Sequence, residues 1–345
     1  MKKFLVLVLG ACFLTVLATG CGSAEKQKAA PEASQGAKPA AAKVMKIGSV
    51  NAKDRSLSKG LYKFAEIVEK ETNGAIKVEV YTDGVLGDDR RTLEGLQMGT
   101  IQGTTVSTGP ISSFAPEIGV FDLPFLFKDK QTAYKILDGE IGQKLLDRLP
   151  NYGFVGLAYW ENGFRHLSNS KREVTTLEDI KGLKIRTMES QIHIDIWKAL
   201  GANPTPMSWS QVYTALEQKV VDGQENPLGN LTANKLYEVQ KYVTMTGHVY
   251  NASPFLVSKV FWDTLSDKEK DILKKAAIEA RDYQRQLNEQ EDKDAMKILT
   301  EKGMKISELK PGEKEKMREA VMPVYEKYKS QYGEDLVKQV LEATK

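Results

Sequence analysis

Residues 179–227 of the chain read DIKGLKIRTMESQIHIDIWKALGANPTPMSWSQVYTALEQKVVDGQENP. At the head of this stretch, positions 183–186 (LKIR) alternate apolar and charged side chains, which is the period of a strand with one buried face. Arg186 ends that strand and precedes a polar turn and an amphipathic helix that stops at Gly201. A guanidinium at a strand end of an α/β sheet is well placed to bind an anion in a cleft. The alternative is a strand-end arginine that pairs with a surface carboxylate.

The chain before this stretch alternates between strand and helix patterns. Alternating apolar positions predict strands at 44–50, 76–81 and 101–107, with an amphipathic helix after each of the first two. Strands that alternate with helices in this way pair in parallel and build an α/β sheet. We therefore expect the loops that follow the strands, at 84–91 and 107–110, to face a ligand. The first of these loops carries no nucleotide-binding fingerprint.

The chain after this stretch is predicted to return to the first domain. Strand patterns appear at 242–246 and 254–260, and an earlier strand at 155–160 leaves that domain. Ser266 and Glu269 form a capping box, and the next thirty-odd residues contain no Gly or Pro. A helix of that length would measure about 50 Å at 1.5 Å per residue, which exceeds one domain of this size. We expect it to lie across two lobes as a brace.

The first twenty residues have the pattern of an export signal. Two lysines precede an apolar run at 4–17 that is short for a membrane span. The run leads into Ala18-Thr19-Gly20-Cys21, which resembles the lipobox of bacterial lipoproteins. We expect residues 1–20 to be removed, Cys21 to carry lipid, and residues 21–43 to form a disordered linker. The protein would then be exported and lipid-anchored, in the periplasm or on the outer face of the cell membrane.

Composition excludes several classes of function. The only cysteines are Cys12, inside the leader, and Cys21, so the folded part has no disulfide and no thiol nucleophile. The three histidines are scattered without zinc-site spacing, and we expect no metal and no cofactor. The formal charge of +3 falls to about +1 without the two leader lysines. Nucleic-acid binding therefore has no support.

Two arginines at strand ends, Arg165 and Arg186, are the strongest polar signal in the chain. Glu161, Glu189 and Glu225 could pair with them and give both arginines a structural role. An exported carbohydrate hydrolase could instead use Glu161 and Glu225 as paired carboxylates. A serine hydrolase is disfavoured because no GxSxG occurs. A purely structural envelope protein, with no ligand, is a third possibility.

Several runs, taken together, resemble the solute receptors of TRAP transporters, the DctP family. They occur in order from position 44 to the C-terminal region and read LGDDR (86–90), FDLPF (121–125), AYWENGFR (158–165), KGLKIR (181–186), NPTPM (203–207), VDGQENP (221–227) and YEVQK (237–241). The resemblance implies an α/β, two-lobed periplasmic-binding-protein-like fold with hinge strands and a long helix spanning both lobes. It divides the chain into lobe I (44–162 and 252–291) and lobe II (163–251 and 292–345).

The resemblance also implies roles for individual residues. Arg186 matches the principal carboxylate-binding arginine of the family, and Arg165 matches a second arginine that helps hold the same carboxylate. Asn226 matches an asparagine that bonds to the bound acid. Trp209 lies where the family has an aromatic wall. A planar guanidinium fits a carboxylate with two parallel hydrogen bonds, where lysine would offer only a point charge.

Four further positions complete the predicted site. Ser107, Asp89 and Glu189 match positions that vary with the substrate in the family, and Asn51 is a looser match in the first loop. Polar side chains of this kind suit a ligand with several hydroxyl groups.

The function implied is that of a receptor, not an enzyme. It would bind a small organic acid and deliver it to the small and large TRAP membrane subunits, with uptake driven by an ion gradient. The WENG run before Arg165 resembles receptors for sugar acids, so we expect a uronate or a related sugar acid. A C4-dicarboxylate is the alternative, and Lys53 or Arg90 could then bind its second carboxylate.

Overall fold

The computed structural model of the protein describes residues 42–345. The predicted signal peptide, the lipidation site Cys21 and nearly all of the linker lie outside these residues. The strands are β1 (Lys43–Gly48), β2 (Ile76–Tyr81), β3 (Gly103–Thr105), β4 (Phe154–Asn169), β5 (Lys184–Thr187), β6 (Asn203–Pro206), β7 (Gly223–Asn226), β8 (Tyr242–Ser258) and β9 (Lys305–Ser307).

The α-helices follow from the capping and periodicity signals of the sequence. They are α1 (Ser56–Glu71), α2 (Asp89–Met98), α3 (Thr108–Ile111), α4 (Lys130–Leu137), α5 (Glu140–Leu146), α6 (Gln191–Ala199), α7 (Val212–Glu217), α8 (Leu228–Ala233), α9 (Lys259–Trp262), α10 (Asp267–Glu301), α11 (Glu313–Ala320), α12 (Met322–Tyr332) and α13 (Glu334–Ala343). Short 3₁₀ turns lie at Pro116–Asp122, Leu149–Tyr152, Glu178–Ile180, Trp209–Gln211 and Leu236–Glu238.

The sheet is organised around two long antiparallel strands, β4 and β8. Its strand order is β2-β1-β3-β8-β4-β7-β5-β6, and β9 pairs with β8. The parallel strands β1, β2 and β3 join one end of the long pair through β3 and the last residues of β8. The parallel strands β5, β6 and β7 join the other end through the last residues of β4. Each end of the pair therefore carries its own small α/β unit, which confirms the predicted two-lobed fold with hinge strands.

Both hinge strands are longer than the sequence patterns predicted. The strand expected at 155–160 continues to Asn169, and the two strands expected at 242–246 and 254–260 are one continuous strand. The register of the pair shifts between Glu161 and Gly163 and twice more along its length. Such bulges shift the alternation of apolar side chains, so periodicity alone ends a strand too early.

The long helix α10 begins as predicted. The Ser266 side chain accepts from the Glu269 backbone N–H, and the Glu269 carboxylate accepts from the Ser266 N–H. The helix runs for 35 residues and packs against α1 in one lobe, against β4, and against α8 and β9 in the other. The predicted brace is therefore confirmed.

Other local predictions were wrong. The sequence pattern predicts one helix at 135–149, but the structure has α4 and α5 in this part of the chain. A capping signal at Ser208 predicts a second helix as far as Gly223, where the structure has only the short α7 after a 3₁₀ turn. The pair Thr175 and Glu178 also has the spacing of a capping box, but the box does not form, because the Asp179 carboxylate accepts the nearby N–H groups instead.

Three buried clusters form the core. One lies between β1, β2, α1 and α10, a second lies between α7, α8 and the end of α10, and a third runs along the opposite face of the sheet. The described residues pack as one unit, so the predicted lobe boundaries at 162/163, 251/252 and 291/292 stay a prediction.

Candidate ligand-binding site

A small polar cavity lies where the carboxyl ends of strands from both lobes meet. Its volume is about 30 Å³, and it is lined by Val50, Asn51, Asp89, Thr105, Ser107, Asn162, Arg165, Arg186, Met188, Trp209, Asn226 and Asn230. Seven of the eight residues predicted to contact the ligand are among them. Glu189 is exposed and does not line the cavity. The contact of each of the eight with a ligand stays a prediction.

Arg186 enters this cavity from the end of β5. Its Nε and Nη2 donate to the Met207 carbonyl oxygen at 3.0 and 2.7 Å. Its guanidinium carbon lies 5.5 Å from the centre of the Trp209 ring. These contacts fix the plane of the guanidinium, whereas Nη1 donates to no atom of the described residues. Burial and the nearby charge of Arg165 lower the pKa of Arg186 to about 10. The group is therefore still charged at neutral pH, and its edge of Nη1–H and the second Nη2–H is available for an anion.

Arg165 uses most of its N–H donors in an ion pair with a protein carboxylate. Its Nη2 donates to Glu225 Oε1 at 2.9 Å, and its Nε and Nη2 also bond to Glu225. Both side chains are buried. The sequence showed no local partner for Arg165 because Glu225 lies sixty positions away, on β7, which pairs with β4. Any ligand contact by Arg165 is thus restricted to Nη1, which also donates to Asn251 Oδ1 at 3.0 Å.

Glu225 is held as a carboxylate beneath the cavity floor. Burial acts to raise the pKa of Glu225, but the charge of Arg165 and the hydrogen bond to His248 outweigh it and hold the pKa far below its usual value. His248 Nε2 lies 3.0 Å from Glu225 Oε2, and its Nδ1 lies 2.8 Å from the Thr246 hydroxyl oxygen. Burial lowers the pKa of His248, so the ring is neutral at pH 7. The ion pair therefore has a fixed geometry.

Asn251 is a central residue of the site that the sequence analysis missed. Its Oδ1 accepts from the Ser107 hydroxyl at 2.8 Å, and from Asn162 Nδ2 and Arg165 Nη1 at 3.0 Å each. Because the Ser107 proton points to Asn251, the Ser107 oxygen faces the cavity as an acceptor. A polar Asn inside the apolar run of β8 was the one available signal, since a buried amide must find hydrogen-bond partners.

A row of amides continues from the cavity to the long helix. Asn230 Nδ2 donates to Asn226 Oδ1 at 2.8 Å. Asn162 Oδ1 accepts from Arg55 Nη2 at 2.9 Å, and Arg55 Nη1 pairs with Glu291 of α10 at 2.6 Å. The cavity walls are thus tied to the brace helix through a buried guanidinium that the sequence did not single out.

Asp89 brings a carboxylate into the cavity from the first turn of α2. The helix starts here because the preceding residue, Asp88, accepts from the Arg91 N–H at 3.0 Å. Burial raises the pKa of Asp89 to about 7, although the charge of Arg186 opposes the shift. Thr105 adds a buried hydroxyl to the same cavity, and its Oγ1 has no hydrogen-bond partner in the described residues.

The residues on which the alternative functions depend lie elsewhere. The Glu161 carboxylate is buried outside the cavity, where it pairs with Lys130 at 3.2 Å and accepts from the Tyr134 hydroxyl at 2.6 Å. With Glu225 held by Arg165, neither carboxylate of the supposed hydrolase pair reaches the cavity. Lys53 and Arg90, the candidates for binding a second carboxylate, are exposed and do not line it.

A larger groove opens outside the cavity. It has a volume of about 550 Å³ and shares Val50 and Trp209 with the inner cavity. Its walls come from the loop before α2 on one side and from the turn after β6 on the other. Trp209 therefore lies between the small polar cavity and the larger groove.

Comparisons with known proteins show the family to which the chain belongs. Residues 47–331 match the model of the DctP family, described as bacterial extracellular solute-binding protein, family 7. The C4-dicarboxylate-binding periplasmic protein DctP of Rhodobacter capsulatus is 37% identical over 87% of this chain and 91% of its own length. Within residues 42–345, no helix has the length and apolar content that a membrane crossing requires.

Two solved structures are also similar. The sugar acid binding protein of Advenella mimigardefordensis, in complex with galactonate, has a TM-score of 0.86 and 44% identity, covering 88% of this chain and 98% of that one. A TRAP periplasmic solute binding protein from Polaromonas, bound to D-erythronate, has a TM-score of 0.84 and 38% identity, covering 87% and 98%. The predicted resemblance to TRAP receptors is therefore confirmed.

Proposed function

This chain belongs to family 7 of the bacterial extracellular solute-binding proteins, as a TRAP-type receptor, and we propose that its ligand is a sugar acid of the uronate or aldonate type. One observation supports the proposal. The cavity contains one available guanidinium edge, on Arg186, and its other polar groups are mainly hydrogen-bond acceptors and hydroxyls. The family is one of binding proteins. The ligand therefore dissociates from the receptor without a covalent change.

The acid end of the ligand is assigned to Arg186. Its free edge, formed by one Nη1–H and the second Nη2–H, matches the spacing of carboxylate oxygens, and Trp209 and the Met207 carbonyl hold the guanidinium in place. A charge-assisted pair of this kind in a closed, water-poor cavity is among the strongest polar contacts available to a protein. Asn226 and Arg165 Nη1 lie in the same wall and complete the carboxylate end.

We assign hydroxyl groups to the remainder of the ligand. Asp89 and the Ser107 oxygen accept hydrogen bonds, and Thr105 offers an unpaired hydroxyl. A second carboxylate would have to approach Asp89 without a further cation, since Arg186 is assigned to the first carboxylate, Arg165 is paired with Glu225, and Lys53 and Arg90 lie outside the cavity. That cost favours a polyhydroxy acid over a C4-dicarboxylate.

Binding requires the lobes to separate. The cavity volume of about 30 Å³ leaves too little free space for a sugar acid. A sugar acid can therefore enter only when the walls from the two lobes move apart about β4 and β8. Contacts from both lobes then favour closure around the ligand.

A thermal-shift panel tests the proposal. We expect D-galactonate, D-galacturonate or D-glucuronate to raise the Tm at millimolar concentration, and succinate and L-malate to leave it unchanged. Stabilisation by a dicarboxylate and by no sugar acid would overturn the assignment of the ligand class. An NMR spectrum of the stabilising ligand after long incubation should show no product, whereas a product would favour the hydrolase alternative.

We also propose that Cys21 is the lipidated N-terminal residue of the mature receptor. The lipobox-like Ala18-Thr19-Gly20-Cys21 supports this assignment. Mass spectrometry of the protein extracted from membranes should find a chain that begins at Cys21 with acyl groups attached, and Cys21→Ser should release the receptor from the membrane fraction. A mature chain that begins elsewhere, without lipid, would contradict the proposal.

A further inference from the structure

Phe125 has a backbone conformation that bulky residues rarely adopt. It ends the run FDLPF (121–125), which the ligand cavity does not use, and its φ is +57°. Its N–H donates to the His248 carbonyl oxygen at 2.7 Å, which holds the residue in this conformation. Aromatic residues at positive φ are strained and tend to occur where a function requires them.

An apolar hollow lies beside Phe125 on the surface formed by α12 and α13. Its volume is about 200 Å³, and we call it the Phe125 pocket; it is lined by Pro124, Phe125, Arg318, Val321, Met322, Tyr325, Lys329 and Leu341. The Tyr325 hydroxyl donates to the Pro124 carbonyl oxygen at 2.6 Å and fixes α12 against the turn. Met322 is 50% exposed at the rim. The pocket is thus a preformed concave site for one apolar side chain.

Two cations lie over the Phe125 ring without a carboxylate in contact, although Glu308 and Glu315 act on Lys314 from a greater distance. Lys314 Nζ lies 6.0 Å from the ring centre, and the Arg318 guanidinium carbon lies 5.7 Å from it. Within residues 42–345, neither side chain has a carboxylate within 4.0 Å. Burial and the charge of Arg318 lower the pKa of Lys314. A carboxylate placed between the two cations would relieve their repulsion.

The chemistry of the pocket selects among possible occupants. The linker at 21–43 carries more lysines than acids, so it does not complement this rim. A lipid surface favours protruding apolar side chains inserted among the lipids, whereas this site is concave. A protein segment with one apolar side chain and adjacent carboxylates fits both the hollow and the charges.

We propose that the Phe125 pocket docks an acidic segment of a TRAP membrane subunit through one inserted apolar side chain. The inference rests on the proposed function, because a receptor must meet its membrane subunits to deliver a ligand. The pocket lies outside the ligand cavity, so docking and ligand binding can be separated by substitution.

The test uses the full receptor with its membrane subunits in proteoliposomes. Lys314→Glu with Arg318→Glu reverses the rim charge, and Leu341→Trp fills the hollow without a change of charge. The matched control is Lys268→Glu with Lys275→Glu on α10. Both lysines are exposed and have no carboxylate partner within 4.0 Å in the described chain. The two substitutions change the net charge by the same amount as the pocket pair. Uptake of labelled D-galactonate is measured at limiting receptor, and its Kd is measured by calorimetry.

We expect both pocket variants to lose at least tenfold in uptake with the Kd within twofold of wild type, and the control to behave as wild type. Unchanged uptake, an equal loss in the control, or a parallel loss of galactonate affinity would overturn the inference.

Binding of the wild type, but not the charge variant, to empty phosphatidylglycerol vesicles would assign the pocket to lipid instead. A wild-type dimer that the variants abolish would assign it to a second copy. If the wild type binds none of D-galactonate, D-galacturonate and D-glucuronate, the proposed ligand class fails first, and a wild type that binds but does not transport contradicts delivery itself.

Discussion

Nη1 of Arg55 lies 1.9 Å from the position that a Cβ on Gly229 would occupy. The guanidinium therefore sits directly against the backbone of α8, while it also pairs with Glu291 of α10 and donates to Asn162 of β4. Arg55 itself immediately precedes α1. One buried side chain thus connects both lobes, a hinge strand and the brace helix. It lies beside Asn162 and Asn230, which line the ligand cavity.

Gly229→Ala should weaken ligand binding by about tenfold, because the added methyl group displaces Arg55 from the closed arrangement. Overpacking of this kind costs about 1–3 kcal/mol, and a loss of about 1.4 kcal/mol in binding free energy is a factor of ten in affinity. Calorimetric titration with the stabilising sugar acid measures the change. In an Arg55→Met background, the same glycine substitution should cost much less, since the clashing group is gone. An equal cost in both backgrounds would contradict the role of the Arg55–Gly229 contact.

Arg186→Ala should weaken binding of the acid by tens to thousands of times, because removing one partner of a desolvated pair costs about 2–5 kcal/mol. Arg186→Lys should also bind weakly, since an ammonium cannot provide two parallel bonds. Equilibrium titration checks both variants. Arg90→Ala, which removes an exposed arginine paired with Glu94 on α2, is the control and should bind as wild type. Retained affinity in Arg186→Ala would rule out the proposed carboxylate site.

Glu225→Gln should lower the free energy of unfolding by about 3–5 kcal/mol at pH 7, because the Arg165 guanidinium is left buried without a counter-charge. The pKa of Glu225 is depressed in the folded state. Its contribution to stability is thus complete above the ordinary glutamate pKa and is lost as the pH falls below it. Calorimetry from pH 7 to pH 3 should show a smaller acid-induced loss in the variant than in wild type. Parallel pH profiles would contradict the ion pair as the cause.

Ligand affinity should rise with pH around neutrality through Asp89. Burial raises the pKa of this carboxyl to about 7 in the ligand-free protein. Ligand hydroxyls donate more strongly to the carboxylate than to the protonated acid, so binding should tighten between pH 6 and pH 8. Titrations of wild type and Asp89→Asn across this range test the prediction. The variant should bind with little dependence on pH, and an identical slope in both proteins would exclude Asp89 as its source.

Local signals in the chain predicted much of the fold. The Ser266 and Glu269 capping box placed the start of α10, because these residues act on the backbone of their own helix. The family motifs pointed to Arg186 and its neighbours, and seven of the eight predicted residues do line one cavity. Glu189 does not, since a position matched by motif carries no information on which way its side chain points.

The sequence by itself determined the strand-helix order, the helix caps and the residue types that can bind an anion, since each depends on neighbours a few positions apart. Only the tertiary structure decided that Arg165 is neutralised by Glu225, that Asn251 orients the Ser107 hydroxyl, and that Arg55 joins α8 to α10. These contacts join residues 60 to 236 positions apart. Their geometry is set by the register of β4 with β7 and β8 and by the packing of the brace helix, and no local pattern encodes either.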